Sequence, residues 1–189
     1  MPGETAARLL DTAQRLVQER GYNAFSYKDL ASAIGIRTAS IHYHFPTKAD
    51  LAGALVERYL DALERTLEVI DREPGTARSR LERFVELYRD TETAGAICLC
   101  GSLAADRQTL TEPVQAIVSA YLERSERWVA ETLDTGRRSG ELAFVGEPSD
   151  LAASLVAGLQ GGLVLTRGLP GCRHVDLVER VFFQTLDAA

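Results

Sequence analysis

A short segment near the N-terminus carries side chains suited to contacting nucleic acid. Residues 37–44 have the sequence RTASIHYH, in which every residue except Ile41 is small, hydroxyl-bearing, aromatic or basic. Small side chains allow a helix to approach the major groove closely, while hydroxyls, imidazoles and Arg can reach base edges and phosphates. Since Ile41 is expected to face the core, the other seven residues form a surface without an acid. We predict that this surface contacts DNA.

Two short predicted helices and a tight turn position this surface. Ser26 precedes the first helical pattern, and Asp29 three residues later completes a variant of the capping box. Gly35 can adopt the left-handed conformation that ends this helix, and Thr38 can cap the second one. Two helices joined by about three residues, with a Gly in the turn, form a helix-turn-helix.

Further helices are predicted on both sides. The apolar spacing from Leu9 to Val17 predicts an amphipathic helix before the helix-turn-helix, which completes a three-helix head. After it, Thr47 and Asp50 form a capping pair that begins a long connecting helix. Lys48 lies beside the positive end of that helix, where we expect its ammonium and the backbone N–H groups to hold a DNA phosphate.

The run GYNAFSYKDLASAIGIRTASIHYHFPTKADL resembles the DNA-binding domain of the TetR family of bacterial transcription regulators. The shared features are a Gly-aromatic turn, a helix-turn-helix, an aromatic-rich recognition helix and a following F-x-x-K-x-x-L, in this order and spacing. His42 departs from the family pattern, because a Tyr is frequent at this position. The resemblance implies a ligand-responsive regulator, a repressor that binds a palindromic DNA operator as a homodimer and is released by a small-molecule effector.

Eleven residues are the candidate DNA contacts. They are Ser26, Tyr27, Lys28, Arg37, Thr38, Ala39, Ser40, His42, Tyr43, His44 and Lys48. We expect Tyr43 and Lys48 to contact phosphates. We expect four others to lie against base edges, namely Arg37, Thr38, Ser40 and His42.

Charge and composition limit the possible classes of protein. The 189 residues are 46% hydrophobic and 25% charged, as in an ordinary globular protein, and the formal net charge is −6. Residues 1–50 hold six Lys or Arg and five acids, so the acidity belongs to the remainder. The longest apolar run, LAASLVAGLQGGLVL, is 15 residues long, and the N-terminus lacks the features of a signal peptide. These patterns indicate a cytoplasmic protein without a membrane partner.

The rest of the chain predicts a larger helical bundle, so the fold class is all-α with about nine helices. We expect a helix-turn-helix DNA-binding domain at residues 1–50 and a ligand-binding and dimerisation domain at residues 51–189. The last two predicted helices are apolar on more than one face and carry small residues at positions 157, 158, 161 and 162. Because such helices need a second neighbour, we predict a homodimer through residues 150–187.

The resemblance also implies an effector pocket between the middle helices. Its candidate residues are Phe84, Tyr88, Cys98, Leu103, Tyr121, Trp128 and Leu159. Each of these is also a candidate for ordinary core packing. Cys98 and Cys100 lie in an apolar, bendable segment, where they are either small core residues or, for one of them, a thiol that faces the effector.

Other kinds of site are not predicted. Sequence signatures of enzymes are absent, so we expect no catalysis and no cofactor. A zinc site of Cys98, Cys100, Cys172 and His174 is disfavoured, because C-x-C and C-x-H are not common ligand spacings, and no metal is expected. The rival interpretation is a helical small-molecule-binding protein, or an enzyme, with a vestigial DNA-binding head.

Overall fold

The computed structural model describes residues 3–169 and 171–186, and in these ranges the chain is helical with no strand. The α-helices are α1 Glu4–Arg20, α2 Tyr27–Ile34, α3 Thr38–His44, α4 Lys48–Arg72, α5 Ala77–Thr93, α6 Leu99–Ala105, α7 Glu112–Ser139, α8 Pro148–Gly168 and α9 His174–Leu186. Two 3₁₀ turns lie at Tyr22–Ala24 and Arg107–Thr109. The all-α prediction with about nine helices is confirmed for the described residues.

Local chemistry sets the helix ends of the head. Ser26 and Asp29 form the predicted capping box, and the hydrogen bonds from Ser26 hold the pKa of Asp29 below its ordinary value. Gly35 ends α2 in the left-handed conformation with φ of 78°. Thr38 differs from the prediction, because it is the first residue of α3 and Arg37 occupies the capping position without a side-chain bond.

Two compact units divide the chain. The first comprises Met1–Ala62 with Leu99–Tyr121, and the second comprises Leu63–Cys98 with Leu122–Ala189. Both α4 and α7 therefore contribute residues to each unit. The boundary predicted at residue 50 is a division by function and stays a prediction.

The first unit is built on the apolar face of α1. Its six buried residues are Ala6, Leu9, Leu10, Ala13, Leu16 and Val17. Leu30 of α2, Ile41 of α3 and Leu55 of α4 are also buried, so each element of the head contributes to the core. The hydroxyl of Ser102 in α6 donates to the carbonyl of Val17 at 3.2 Å, which satisfies a buried polar group.

A buried carboxylate fastens α5 to α8 and α9 in the second unit. The Glu92 side chain is 3% exposed, and its Oε1 accepts hydrogen bonds from the Thr166 hydroxyl at 2.6 Å and from the Val175 N–H at 3.2 Å. Since Val175 belongs to the first turn of α9, Glu92 occupies the positive end of that helix. Nearby, Arg89 donates to Glu179 and Asp176, and these bonds raise the pKa of its guanidinium.

The small residues of α8 point in two directions. A Cβ added to Gly158 would lie 3.1 Å from Val178 of α9, and one added to Gly162 would lie 3.4 Å from His174, so both glycines allow close packing within the chain. Ala157 and Gly161 are exposed, and an added Cβ at Gly161 meets nothing within 4 Å. The predicted dimer segment includes residues 170 and 187, which lie outside the described residues.

The helix α8 is longer than the apolar run that predicted it. It spans 21 residues with a mean hydropathy of 1.2 in its most apolar window, so by length and composition alone it could cross a membrane. One such helix is not a membrane signal, because the core helix of a bundle can have the same length and composition. Six residues of α8 are buried, including Leu155 and Leu159, and the helix contacts α5 and α9, as the core helix of a bundle does.

Candidate DNA-binding site

The helix α3 presents the predicted surface. Ile41 is fully buried, whereas Tyr43 is 83% exposed. Arg37, Ala39 and Ser40 are exposed as well. A shallow groove of about 520 Å³ runs along this helix, lined by Thr5, Ile36, Arg37, Ala39, Ser40, Tyr43 and His44. The structure thus brings most of the predicted recognition-helix residues together and adds Thr5 of α1, which the sequence analysis missed.

The Tyr27 hydroxyl bonds to the segment that follows α3. It lies 2.9 Å from the carbonyl oxygen of Phe45 and 2.5 Å from that of Thr47, and its single proton is shared between these two acceptors. Burial, together with the charge of Asp50, raises the pKa of Tyr27 to about 12. The hydroxyl predicted to contact DNA is therefore used to hold the segment between α3 and α4.

His42 lies beside Tyr27 on the exposed flank of α3. The two ring centroids are 4.9 Å apart, with an angle of 59° between the ring planes. The Nδ1 atom of His42 lies 3.0 Å from the carbonyl oxygen of Pro46. The imidazole is therefore held by a ring contact and by a hydrogen bond while its surface stays exposed.

Lys48 has partners inside the protein. Its ammonium donates to the carbonyl oxygens of Tyr22 and Phe25, both at 2.6 Å, and lies 4.4 Å and 4.3 Å from the centroids of their rings. Burial lowers the pKa of Lys48, while the charges of Asp106 and Asp29 act in the opposite direction. The structure thus differs from the predicted phosphate contact, because two of the three ammonium protons are directed inward.

The remaining predicted contacts differ in their exposure and in the partners they have within the protein. The Ser26 hydroxyl donates to Asp29 at 2.6 Å, so its first role is helix capping. Lys28 is exposed on α2. Thr38 and His44 are half-buried on α3, and the ring of His44 packs edge-on against Tyr43 with centroids 5.1 Å apart.

Asp106 was missed by the sequence analysis, although it holds a turn of the head. Its carboxylate accepts hydrogen bonds from the Tyr22 N–H and from the Asn23 side chain, both at 2.9 Å. The Asn23 amide also donates to the Thr109 hydroxyl at 3.0 Å. Lys48 and Asp106 therefore bind the same turn of the first unit, Lys48 at the carbonyl of Tyr22 and Asp106 at its N–H.

The candidate pocket residues are all buried. Within the second unit, the Phe84 ring lies 5.5 Å from that of Trp128 and 5.6 Å from that of Tyr88, and the Trp128 indole N–H donates to Asp71 at 3.1 Å. Cys98 and Leu159 also belong to this unit, whereas Leu103 and Tyr121 belong to the first. Of the seven candidates, Phe84, Tyr88 and Trp128 thus form an aromatic cluster in the second unit. The seven do not all belong to one unit.

The cysteines differ in exposure, which predicts their reactivity. Cys98 and Cys100 are 3% and 0% exposed, whereas Cys172 is an exposed residue between α8 and α9. Because a thiolate must be accessible to react, we expect one fast-reacting thiol per native chain, lost in Cys172→Ser. Titration with a chromogenic disulfide reagent, with the denatured protein as the three-thiol control, measures this. A second fast thiol in Cys172→Ser would show that Cys98 or Cys100 is accessible.

This fold and this site define an all-helical DNA-binding protein of the helix-turn-helix class. Residues 9–55 match the family model of the bacterial regulatory proteins of the tetR family. A TetR transcriptional regulator from Legionella pneumophila is 30% identical, with 98% of each chain covered and a TM-score of 0.88. A TetR-family regulator from Agrobacterium tumefaciens is 26% identical over 98% of this chain and 100% of its own, with a TM-score of 0.92.

A similar protein of known role supports the same assignment. The HTH-type transcriptional repressor DhaR from Mycobacterium sp. (strain GP1) is 23% identical over 94% of this chain and 90% of its own. The chain belongs to the TetR family of transcription regulators. Repressors of this family bind DNA operators and small-molecule effectors, typically as dimers, and these relatives are regulators rather than enzymes.

Proposed function

We propose that this protein is a cytoplasmic transcriptional repressor that binds a palindromic operator as a homodimer and is released by a small-molecule effector. The observation that carries the proposal is the exposed surface of α3, where Tyr43 is 83% exposed and the neighbouring side chains include no acid. Exposing a large aromatic ring beside Arg37 is expected where a DNA strand covers both. Residues 1–50 are the proposed DNA-binding domain, of which residues 1 and 2 lie outside the described residues.

The exposed side of α8 and α9 supports the proposed dimer. Five large apolar residues of the second unit are about half exposed, namely Val164, Leu165, Leu169, Leu177 and Val181. An apolar groove of about 360 Å³ between α8 and α9 includes Leu177 and Val181. A second copy of the chain would cover these side chains and place two heads on one palindrome.

The proposed effector domain comprises residues 51–189, of which 170 and 187–189 lie outside the described residues. Its support is the cluster of Phe84, Tyr88 and Trp128, since aromatic side chains line many sites for small molecules. An effector that prefers one arrangement of the heads would shift the dimer away from the operator-binding state.

Selection of DNA from a random pool tests the proposed function. Wild-type protein is incubated with random duplexes at moderate salt, and the bound fraction is amplified and sequenced over several rounds. The expected result is a palindrome with two equivalent half-sites about one helical turn apart, or a multiple of it. Enrichment of no sequence above the input pool would contradict the proposal.

Arg37→Ala is expected to weaken binding to the selected palindrome and to relax the preference at one position of each half-site. The expected loss is about 1–3 kcal/mol, the size found for an Arg that contacts a base edge. Arg127→Ala on α7 removes the same charge from an exposed position of another helix and is the matched control. Fluorescence anisotropy with the palindrome and its single-position variants measures both effects. If the two variants lost the same amount of affinity, the effect would be due to net charge rather than to a base contact.

A further inference from the structure

We propose that His42 determines operator specificity by accepting a hydrogen bond from the exocyclic amino group of adenine or cytosine in the major groove. This inference rests on the proposed function and deepens it, because it assigns one chemical preference to one residue of α3. The feature that carries it is the hydrogen bond between the imidazole of His42 and the carbonyl of Pro46.

The partner of Nδ1 fixes where the proton of the neutral ring lies. A carbonyl oxygen can only accept a hydrogen bond, so the Nδ1 atom, 3.0 Å from the oxygen of Pro46, must be the protonated nitrogen. The other nitrogen, Nε2, then carries a lone pair and no proton. The neutral side chain is consequently a hydrogen-bond acceptor at Nε2, whereas a neutral imidazole without this bond could carry its proton on either nitrogen.

The surroundings keep the ring in this orientation. The ring of Tyr27 lies 4.9 Å from that of His42, and the Tyr27 hydroxyl is itself bonded to the carbonyls of Phe45 and Thr47. Burial and the charge of Asp50 on α4 raise the pKa of Tyr27 to about 12. The Tyr27 side chain is therefore neutral at pH 8. His42 is an exposed residue on the flank of the recognition helix, where a base can approach it.

An acceptor selects among the groups of the major groove. Adenine N6 and cytosine N4 are donors, whereas guanine and thymine present acceptor oxygens at the corresponding positions. Phosphate oxygens are acceptors too, so the neutral tautomer cannot bond to the DNA backbone through Nε2. The amino-bearing base on the contacted strand is therefore the partner that this tautomer favours.

Parallel selections at pH 8 test the assignment. The proteins are wild type, His42→Phe and the control Arg127→Ala, whose exposed side chain lies on α7 and is not among the candidate DNA contacts. We expect one symmetric position of the wild-type palindrome to be adenine or cytosine. That position alone should lose its preference in His42→Phe and keep it in Arg127→Ala. The unchanged positions of the His42→Phe palindrome show that the variant is folded.

Base analogues then identify the chemical group. Purine in place of adenine, or 2-pyrimidinone in place of cytosine, removes only the amino group at that position. Wild type should bind the analogue about five- to tenfold more weakly, as expected for one lost hydrogen bond, and His42→Phe should bind both duplexes equally. A His42-dependent guanine or thymine, or equal wild-type binding to both duplexes, would overturn the inference while leaving the proposed function intact. Failure of wild type to enrich any sequence would instead remove the proposed function and the inference with it.

Discussion

Gly161→Glu is expected to split the dimer and to abolish tight binding to the palindromic operator. An added Cβ at Gly161 meets nothing within 4 Å, so the monomer should fold normally, and Glu is the better helix former. The new charge would lie beside Leu165, in the middle of the proposed interface, where an unpaired charge is costly to bury. Because one head contacts only one half-site, the affinity should fall by roughly 10²- to 10⁴-fold.

Light scattering for the molar mass and anisotropy for the affinity measure this prediction. Thr135→Glu, at an exposed position of α7, is the matched control and should remain a dimer with wild-type affinity. Gly158 is a poor choice for this test, because a side chain there would press on Val178 of the same chain at 3.1 Å. A monomeric Gly161→Glu that binds the full palindrome as tightly as wild type would refute the proposal that tight operator binding requires the dimer.

Lys48→Met is expected to destabilise the head and to weaken binding to every DNA sequence by the same factor. Met keeps most of the apolar stem but leaves the carbonyls of Tyr22 and Phe25 without their donor. For these partly buried groups we expect a loss of about 1–2 kcal/mol in the free energy of unfolding. Because Lys48 acts inside the protein, the slope of log affinity against log salt should stay unchanged.

Urea unfolding and salt titrations of operator binding separate the two roles of Lys48. Lys28→Met removes an exposed lysine from the same head and should leave stability unchanged. A salt slope lowered by about one unit in Lys48→Met, with stability unchanged, would instead establish the phosphate contact that the sequence suggested.

Features that depend on neighbouring residues could be predicted from the sequence. Ser26 and Asp29 cap α2, and Gly35 ends it, because these bonds and this conformation involve residues a few positions apart. Thr47 and Asp50 likewise exchange hydrogen bonds at the start of α4. These local signals were sufficient to locate the helix-turn-helix.

Features that depend on the tertiary arrangement could not be predicted in the same way. Lys48 bonds to backbone carbonyls, which have no signature in the sequence, so its position beside the start of α4 suggested a phosphate contact instead. Asp106 is 84 residues from Tyr22, and nothing in either segment indicates that they meet. The faces of Gly158 and Gly161 differ only because α9 packs against one of them, which helix periodicity alone does not show.

The salt dependence of binding to the selected palindrome tests the central claim most directly. The affinity of wild type is measured by anisotropy over a range of salt concentrations, with a scrambled duplex of equal composition beside it. We expect two chains per palindrome, a linear fall of log affinity with log salt, and binding at least about a thousandfold tighter than to the scrambled duplex. Equal affinities for the two duplexes at every salt concentration would contradict the account.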